Sequence, residues 1–339
     1  VKTPFVQYRC DAIQANCLAI AHRLAEFDRG WMPELTRFLP TPVLSVVREV
    51  TAAASCRSLD DAIELHAAGF SKILISRPVV HSNSLEQLSE LALSCELTCV
   101  ADHFRHAELL SNSLRLRNAT AQLLIDVEVG AQRGGVRPGP DSTRLATAAA
   151  QLPGLTIAGV YADDDVCDSG ASMLDSHAEG LSLDDIQTVA AHCRRMIQAT
   201  GIDCQNLVTG RRTFASVLKP CDVTISLFNP LDAAIDAAST NSELHRDQLP
   251  VVLISRVLSR PTLETCLIDF GSLCTGRKLP VVVYPKGAVV QRISDDTSTL
   301  LLSGVSLDLR IGDEVELMTD WRSCVSLASE CRTSNSGSA

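Results

Sequence analysis

Along its first two thirds the chain alternates between two textures, and that alternation constrains its fold more than anything else in the sequence. Short β-branched runs occur at Phe5–Arg9, Val50–Ala53, Lys72–Ser76, Leu97–Ala101, Ala121–Val129, Leu155–Tyr161, Asn206–Thr209 and Asp222–Leu227. Between them, apolar residues recur at three- and four-residue spacing, as in Ala12–Phe27, Leu59–Ala68, Leu85–Leu93, Ser142–Leu152 and Leu183–Thr200. Ser58 and Ser182 each precede a Leu-Asp-Asp run, which pairs a capping hydroxyl with carboxylates in the first turn. Gly69 and Gly201 stand where these helices stop. Parallel neighbours need crossover helices, so this pattern predicts a parallel sheet. About eight units over roughly 230 residues match a (β/α)₈ barrel. A doubly wound open sheet is the alternative, weakened because no Gly-x-Gly-x-x-Gly follows the first run.

After about Thr240 the helical periodicity fades. Val251–Ser259, Thr262–Asp269, Pro280–Tyr284, Ala288–Ile293, Ser298–Ser303 and Asp313–Met318 are short strand-like runs separated by turn residues. The division expected is a barrel over 1–242, an antiparallel β-domain over 243–331 and a Ser-rich disordered tail over 332–339.

Composition excludes several classes. Hydrophobic residues make up 46% and charged residues 21%, which is the balance of a chain with a core. No apolar stretch approaches the ~20 residues of a spanning helix. The net charge is −10 and no basic stripe interrupts it, so no nucleic-acid partner is expected. The 13 cysteines are odd in number and contain no Cys-x-x-Cys, so they read as reduced thiols in a reducing compartment. The chain opens at Val1 rather than Met, which suits either a cleaved transit peptide or a simple trimming of the sequence. The compartments expected are the mitochondrial matrix or the cytoplasm.

One segment is specific. Leu123-Leu124-Ile125-Asp126-Val127-Glu128-Val129-Gly130, followed by Arg133-Gly134-Gly135-Val136 and Pro138-Gly139, resembles the strand and turn of the D-threonine aldolase / D-serine dehydratase family. That family belongs with alanine racemase among the barrel-type pyridoxal-phosphate (PLP) proteins. Thr3-Pro4, the Gly69–Ile75 run leading into Pro78-Val79-Val80, Pro153-Gly154-Leu155 with Ala158-Gly159-Val160, and Gly312–Leu317 are similar to family segments too. The resemblance spans about 3 to 325 and implies an alanine-racemase-type barrel followed by a β-domain.

The resemblance also implies stations for chemistry, and here the residues depart from it. A PLP enzyme of this type needs a Schiff-base lysine near the C-terminal end of a barrel strand. The corresponding stretch is Met32-Pro33-Glu34-Leu35-Thr36-Arg37-Phe38, which puts Thr36 at the lysine position. Of the five lysines, Lys2, Lys72, Lys219, Lys278 and Lys286, none has the expected placement. The family's Gly-rich phosphate loop corresponds to Gly210-Arg211-Arg212, with one glycine left. Its divalent-metal ligands correspond to Trp321 and Ser323. Arg133 keeps the position whose counterpart contacts the cofactor, and a structural brace for the turn is its other reading.

Other constellations are weaker. His103 and His106 share a helical spacing that suits metal ligation, with Asp102 or Glu108 nearby, or they are ordinary helix-start residues. Asp163-Asp164-Asp165 with Asp168 forms an acidic barrel loop for Mg²⁺ or Ca²⁺, or a solvated one.

The expectation drawn is a pseudoenzyme of D-threonine-aldolase type with no cofactor, acting as a homodimer or as a subunit of a larger assembly. The alternative is an active lyase on D-3-hydroxy amino acids, using PLP, a divalent metal or both. A third reading is an anion-binding regulator built on Arg133, Arg211 and Arg212.

Overall fold

The computed structural model describes residues 2–129, 134–163, 183–209, 222–231, 246–272, 280–318 and 327–332. These form two compact units. One comprises residues 19–37 and 48–229, the other 1–18, 38–47 and 230–339.

Strand β1 (Phe5–Arg9) runs into helix α1 (Cys10–Ala25) and then β2 (Gly30–Trp31). Six strand–helix alternations follow: α2 (Thr41–Val50), β3 (Ala53–Cys56), α3 (Leu59–Ala67), β4 (Lys72–Ile75), α4 (Ser82–Leu91), β5 (Glu96–Ala101), α5 (Phe104–Leu116), β6 (Ala121–Asp126), α6 (Pro140–Ala149), β7 (Leu155–Ala162), α7 (Leu183–Gln198), β8 (Asn206–Thr209), and then β9 (Ile225–Ser226). Strands β2 to β9 form one parallel sheet in the order β2-β9-β8-β7-β6-β5-β4-β3. A parallel bridge between Glu34 and Ser55 joins its two edges, with Leu35 N–H donating to Ser55 O (2.8 Å) and Ser55 N–H to Pro33 O (2.9 Å). The sheet is a closed barrel, as the alternating pattern predicts.

Its interior is filled by one large side chain from each of several strands: Leu74, Val100, Leu124, Tyr161, Val208 and Leu227 are all buried. The β-branched runs are therefore strands buried on both faces, which is why they read as continuous rather than alternating. The expected Ser58 cap is present, while Ser182 lies outside the described residues. The Ser58 hydroxyl accepts from Asp61 N–H, with Asp60 and Asp61 in the first turn of α3. Gly69 takes a φ of +97°, a conformation an L side chain resists.

Two differences have physical causes. Phe5–Arg9 is a strand, but it lies outside the barrel. It pairs antiparallel with β10 (Val251–Thr262), Phe5 opposite Ile254. The first barrel strand is instead the two-residue β2, which carries no β-branched residue and is fixed by pairing with Ile225 and Ser226. Helix α2, absent from the helical stretches named above, carries Pro42 in its first turn, where no intrahelical bond is lost, and buries Val43 and Val47 fully.

The other unit is an antiparallel sheet. Beyond β10 it contains β11 (Thr265–Ile268), β12 (Val281–Tyr284), β13 (Ala288–Ile293), β14 (Ser298–Leu302), β15 (Glu314–Met318) and β16 (Ser329–Arg332). The order is β12-β15-β10-β11-β14-β13, with β1 on β10 and β16 parallel to β1. Phe5, Leu249, Val252, Ile254 and Met318 form its buried cluster. Glu316, 6% exposed, accepts from Arg246 Nη2 (2.6 Å) and Nε (2.8 Å) and from Arg9 Nη2 (2.9 Å). Burial alone would raise this carboxyl, but the two guanidiniums pull it below the ordinary carboxylate range. Among the described residues, no helix is long and apolar enough to cross a membrane.

Candidate functional site

In a parallel barrel the loops after the strands surround the C-terminal mouth, where chemistry is placed. The segment after β2 is clamped there on both sides. Glu34 N–H donates to Leu227 O (3.2 Å), the Asn229 side-chain amide donates to Glu34 O, and Ser55 Oγ–H donates to Met32 O (3.0 Å). Leu35 is 1% exposed, and the next residue, partly buried, is Thr36. Glu34 itself turns inward and receives Arg57 Nε at 2.9 Å, the two side chains being 10% and 28% exposed. A hydroxyl and a closed ion pair therefore stand around the expected lysine position. Threonine forms no imine, so the residues here do not fit a Schiff-base cofactor.

Next to this pair the mouth opens into a cavity of about 540 Å³. Its lining includes Ser76 and Arg77 after β4, Asp102 after β5, Asp126 and Glu128 at the end of β6, and Tyr161 and Asp163 on and after β7. The side chains reach the interior through period two: Val100, Leu124 and Tyr161 fill the barrel, so Asp102, Asp126 and Asp163, two residues later, continue on the same face. Asp102 is held in place. Gly135 N–H donates to its Oδ2 (3.0 Å), and His106 Nδ1 lies 2.8 Å from its Oδ1. Asp126 is different, since its carboxyl makes no hydrogen bond or ion pair with another described residue. Burial, followed by the charges of Asp102, Asp163 and Glu128, pushes it up to about 7. Tyr161 is 3% exposed and its hydroxyl is raised, burial again coming first and Asp163 second.

The β6 turn quoted from the sequence is built as a tight structure. Val127 and Val136 form a parallel bridge, Glu128 N–H donates to Val136 O (2.9 Å), and Gly135 has a φ of +99°. A Cβ at Gly135 would lie 2.4 Å from Glu128 N, so only glycine fits.

Of the residues singled out by sequence, Thr36, Asp102 and Asp163 are at the mouth. Arg133, Gly210, Arg211, Arg212, Trp321, Ser323, Asp164, Asp165 and Asp168 lie outside the described residues, as do Lys219 and Lys278. Lys72 begins β4 at the opposite end of the barrel, 3.0 Å from Glu96. His103 caps α5, its Nδ1 accepting from Arg105 N–H (3.0 Å), while His106 is turned to Asp102. The two histidines therefore serve a cap and a close contact with Asp102, and among the described residues no set of three His, Cys, Asp or Glu side chains is arranged to hold a metal. Cys99 is buried, its thiol pushed up to about 12 by burial, and Cys95 up to about 11. Sequence reasoning missed Glu34, Arg57, Asp126 and Tyr161. For Asp126 and Tyr161 the signal was their place at strand ends in the specific segment and in the Leu155–Tyr161 run.

Comparison with known proteins places this mouth in a family context. The alanine racemase N-terminal domain family matches residues 41–206. The barrel is of the alanine racemase type. The D-threonine aldolase of Arthrobacter sp is 24% identical over 247 residues, 71% of this chain. That match spans 64% of the aldolase, less than two thirds of its length. Among solved structures, D-threonine aldolase from Filomicrobium marinum superposes with a TM-score of 0.79 at 21% identity, covering 94% of this chain and 87% of that one. D-threo-3-hydroxyaspartate dehydratase from Delftia sp. HT23 gives 0.75 at 15% identity, covering 99% and 95%. At these identities the structural likeness is one of fold, and it agrees with the barrel and β-domain expected from the resemblance.

The expectation of a chain without any cofactor is corrected by these relatives. D-threonine aldolase and the hydroxyaspartate dehydratase are PLP-dependent, metal-using enzymes, so cofactors belong to this fold family.

Proposed function

We propose that this chain is a barrel of D-threonine-aldolase type that has given up lysine-dependent cleavage of D-3-hydroxy amino acids and serves as an accessory or structural protein. One observation carries the reading: the clamped segment after β2 ends in Thr36, with Glu34 locked to Arg57 beside it. The chemistry in question requires an amine there that attacks the cofactor's aldehyde and later accepts and returns a proton. A threonine hydroxyl does neither. The scaffold parts, by contrast, are intact, as the Gly135 turn and the Glu34–Ser55 closure illustrate. Retained shape with altered chemistry fits a role as a homodimeric scaffold or as a subunit of a larger assembly.

The test supplies everything except the missing residue. With added PLP and Mn²⁺, the chain is given D-threonine and D-threo-3-hydroxyaspartate, and acetaldehyde or ammonia release is followed. The expected result is no release above that of a protein-free control. Saturable turnover overturns the proposal, and peptide mapping after borohydride reduction then identifies the lysine responsible.

A further inference from the structure

We infer that Cys10 and Cys331 form a redox site, in which a low-molecular-weight disulfide such as glutathione disulfide oxidises the pair and the new bond staples strand β16 to the start of α1. The register of the sheet brings the two together. Strand β16 runs parallel to β1, with Cys331 opposite Tyr8 and Arg332 opposite Arg9. Cys10 lies two residues past Tyr8, at the first position of α1. Paired residues share a face and so do residues two apart, so Cys10 and Cys331 are diagonal neighbours on one side. Their thiols meet there in a side-chain hydrogen bond.

Another pair shows the contrast. Cys56 in β3 and Cys99 in β5 both stand level with Ile75 of β4, which runs between them. Two strand spacings hold them about 9–10 Å apart, beyond the reach of a disulfide. No strand separates Cys10 from Cys331. The two also differ in access. Cys10 is 3% exposed, whereas Cys331 is half-buried and open to a small reagent. Strand β16 is bonded to β1 alone, so a covalent tie at this edge holds a strand that hydrogen bonds secure on one side.

The exchange balances in two steps. The deprotonated Cys331 sulfur attacks glutathione disulfide, breaks its S–S bond and releases one glutathione thiol. The Cys10 sulfur, losing its proton, then attacks Cys331 in the mixed disulfide and releases the second. The protein thiols give up two electrons and two protons, and glutathione disulfide takes both. Burial pushes the Cys331 thiol up to about 11 and raises that of Cys10, so little thiolate is present near neutral pH. Exchange is therefore slow, and a bond between such poor leaving groups resists reduction once formed. These properties suit a durable staple rather than a rapid sensor.

The test incubates the full chain with glutathione disulfide at pH 7, 8 and 9, alkylates the remaining thiols and maps the peptides without reduction. The expected product is a linked Cys10–Cys331 peptide pair that dithiothreitol separates, formed about tenfold faster per pH unit across this range. The oxidised chain is expected to melt at least about 3 °C above the reduced one. Cys331→Ser and Cys10→Ser are each expected to abolish both the link and the shift. Two variants are included so that a folding failure of one leaves the other to decide. Recovery of Cys10 and Cys331 separately alkylated overturns the proposal. So does either one joined to a different cysteine, or Cys331 left in a mixed disulfide with glutathione. A link that leaves the melting temperature unchanged overturns the staple. None of these results depends on whether the chain cleaves D-threonine.

Discussion

At the scale of single residues, the mouth of the barrel is a place where charge is held against its preference. Asp126 carries the clearest consequence. Its folded-state pKa, about 7, lies above the 3.8 of a free carboxyl, so the folded chain binds a proton more tightly than the unfolded one between those values. Stability from this group is therefore present at low pH and is lost as pH rises through 7. Asp126→Asn removes that loss. The variant is expected to be more stable than the parent at pH 8, by no more than ~4 kcal/mol, and the gain is expected to vanish near pH 4. Chemical denaturation at the two pH values measures it. The Glu34–Arg57 pair makes the opposite prediction. Arg57→Ala takes the guanidinium away from a carboxylate whose side chain is 10% exposed, and the expected cost is about 2–3 kcal/mol. Adding Glu34→Gln to that variant is expected to recover most of the loss in the same denaturation experiment. Little of this pairing was legible in the sequence. Glu34 and Arg57 meet only because barrel closure brings Ser55 beside Glu34, a contact that no local pattern encodes. Thr36 was named from the sequence because the segment around it resembles a stretch in which the family keeps a lysine, and the structure adds that it follows the first barrel strand.

At the scale of elements, what the sequence revealed follows from where the signal is local. Helices α3 and α7 and strands β4 to β8 were readable from periodicity, caps and β-branched runs, since each is defined by its own residues. Strand β2 was not, because two residues without β-branching become a strand only through their partner β9. Phe5–Arg9 was readable as a strand but not as a member of the antiparallel sheet, since a five-residue run does not encode its neighbour. Local packing between elements also yields a test. Gly159 in β7 lies so close to β8 that a Cβ would stand 2.1 Å from Asn206 O. Gly159→Ala must push the two strands apart, and a loss on the order of 3 kcal/mol is expected by chemical denaturation. At the start of α3, Ser58→Ala removes the acceptor for Asp61 N–H and is expected to cost ~1 kcal/mol.

At the scale of the whole molecule, the chain shares its fold with D-threonine aldolase and D-threo-3-hydroxyaspartate dehydratase, and the proposal is that Thr36 stands where the chemistry needs a lysine. The central claim is that the barrel does not activate the Cα–H or Cβ bonds of D-3-hydroxy amino acids through a lysine. Proton NMR in D₂O reads this more sensitively than product release, because exchange of a Cα–H registers even when no bond to carbon breaks. The full chain, supplied with PLP and Mn²⁺, is incubated with D-threonine and D-alanine, and the Cα–H signals are followed against a protein-free control. The account predicts signals that persist at the control rate. Loss of either signal at a rate proportional to protein concentration would contradict it.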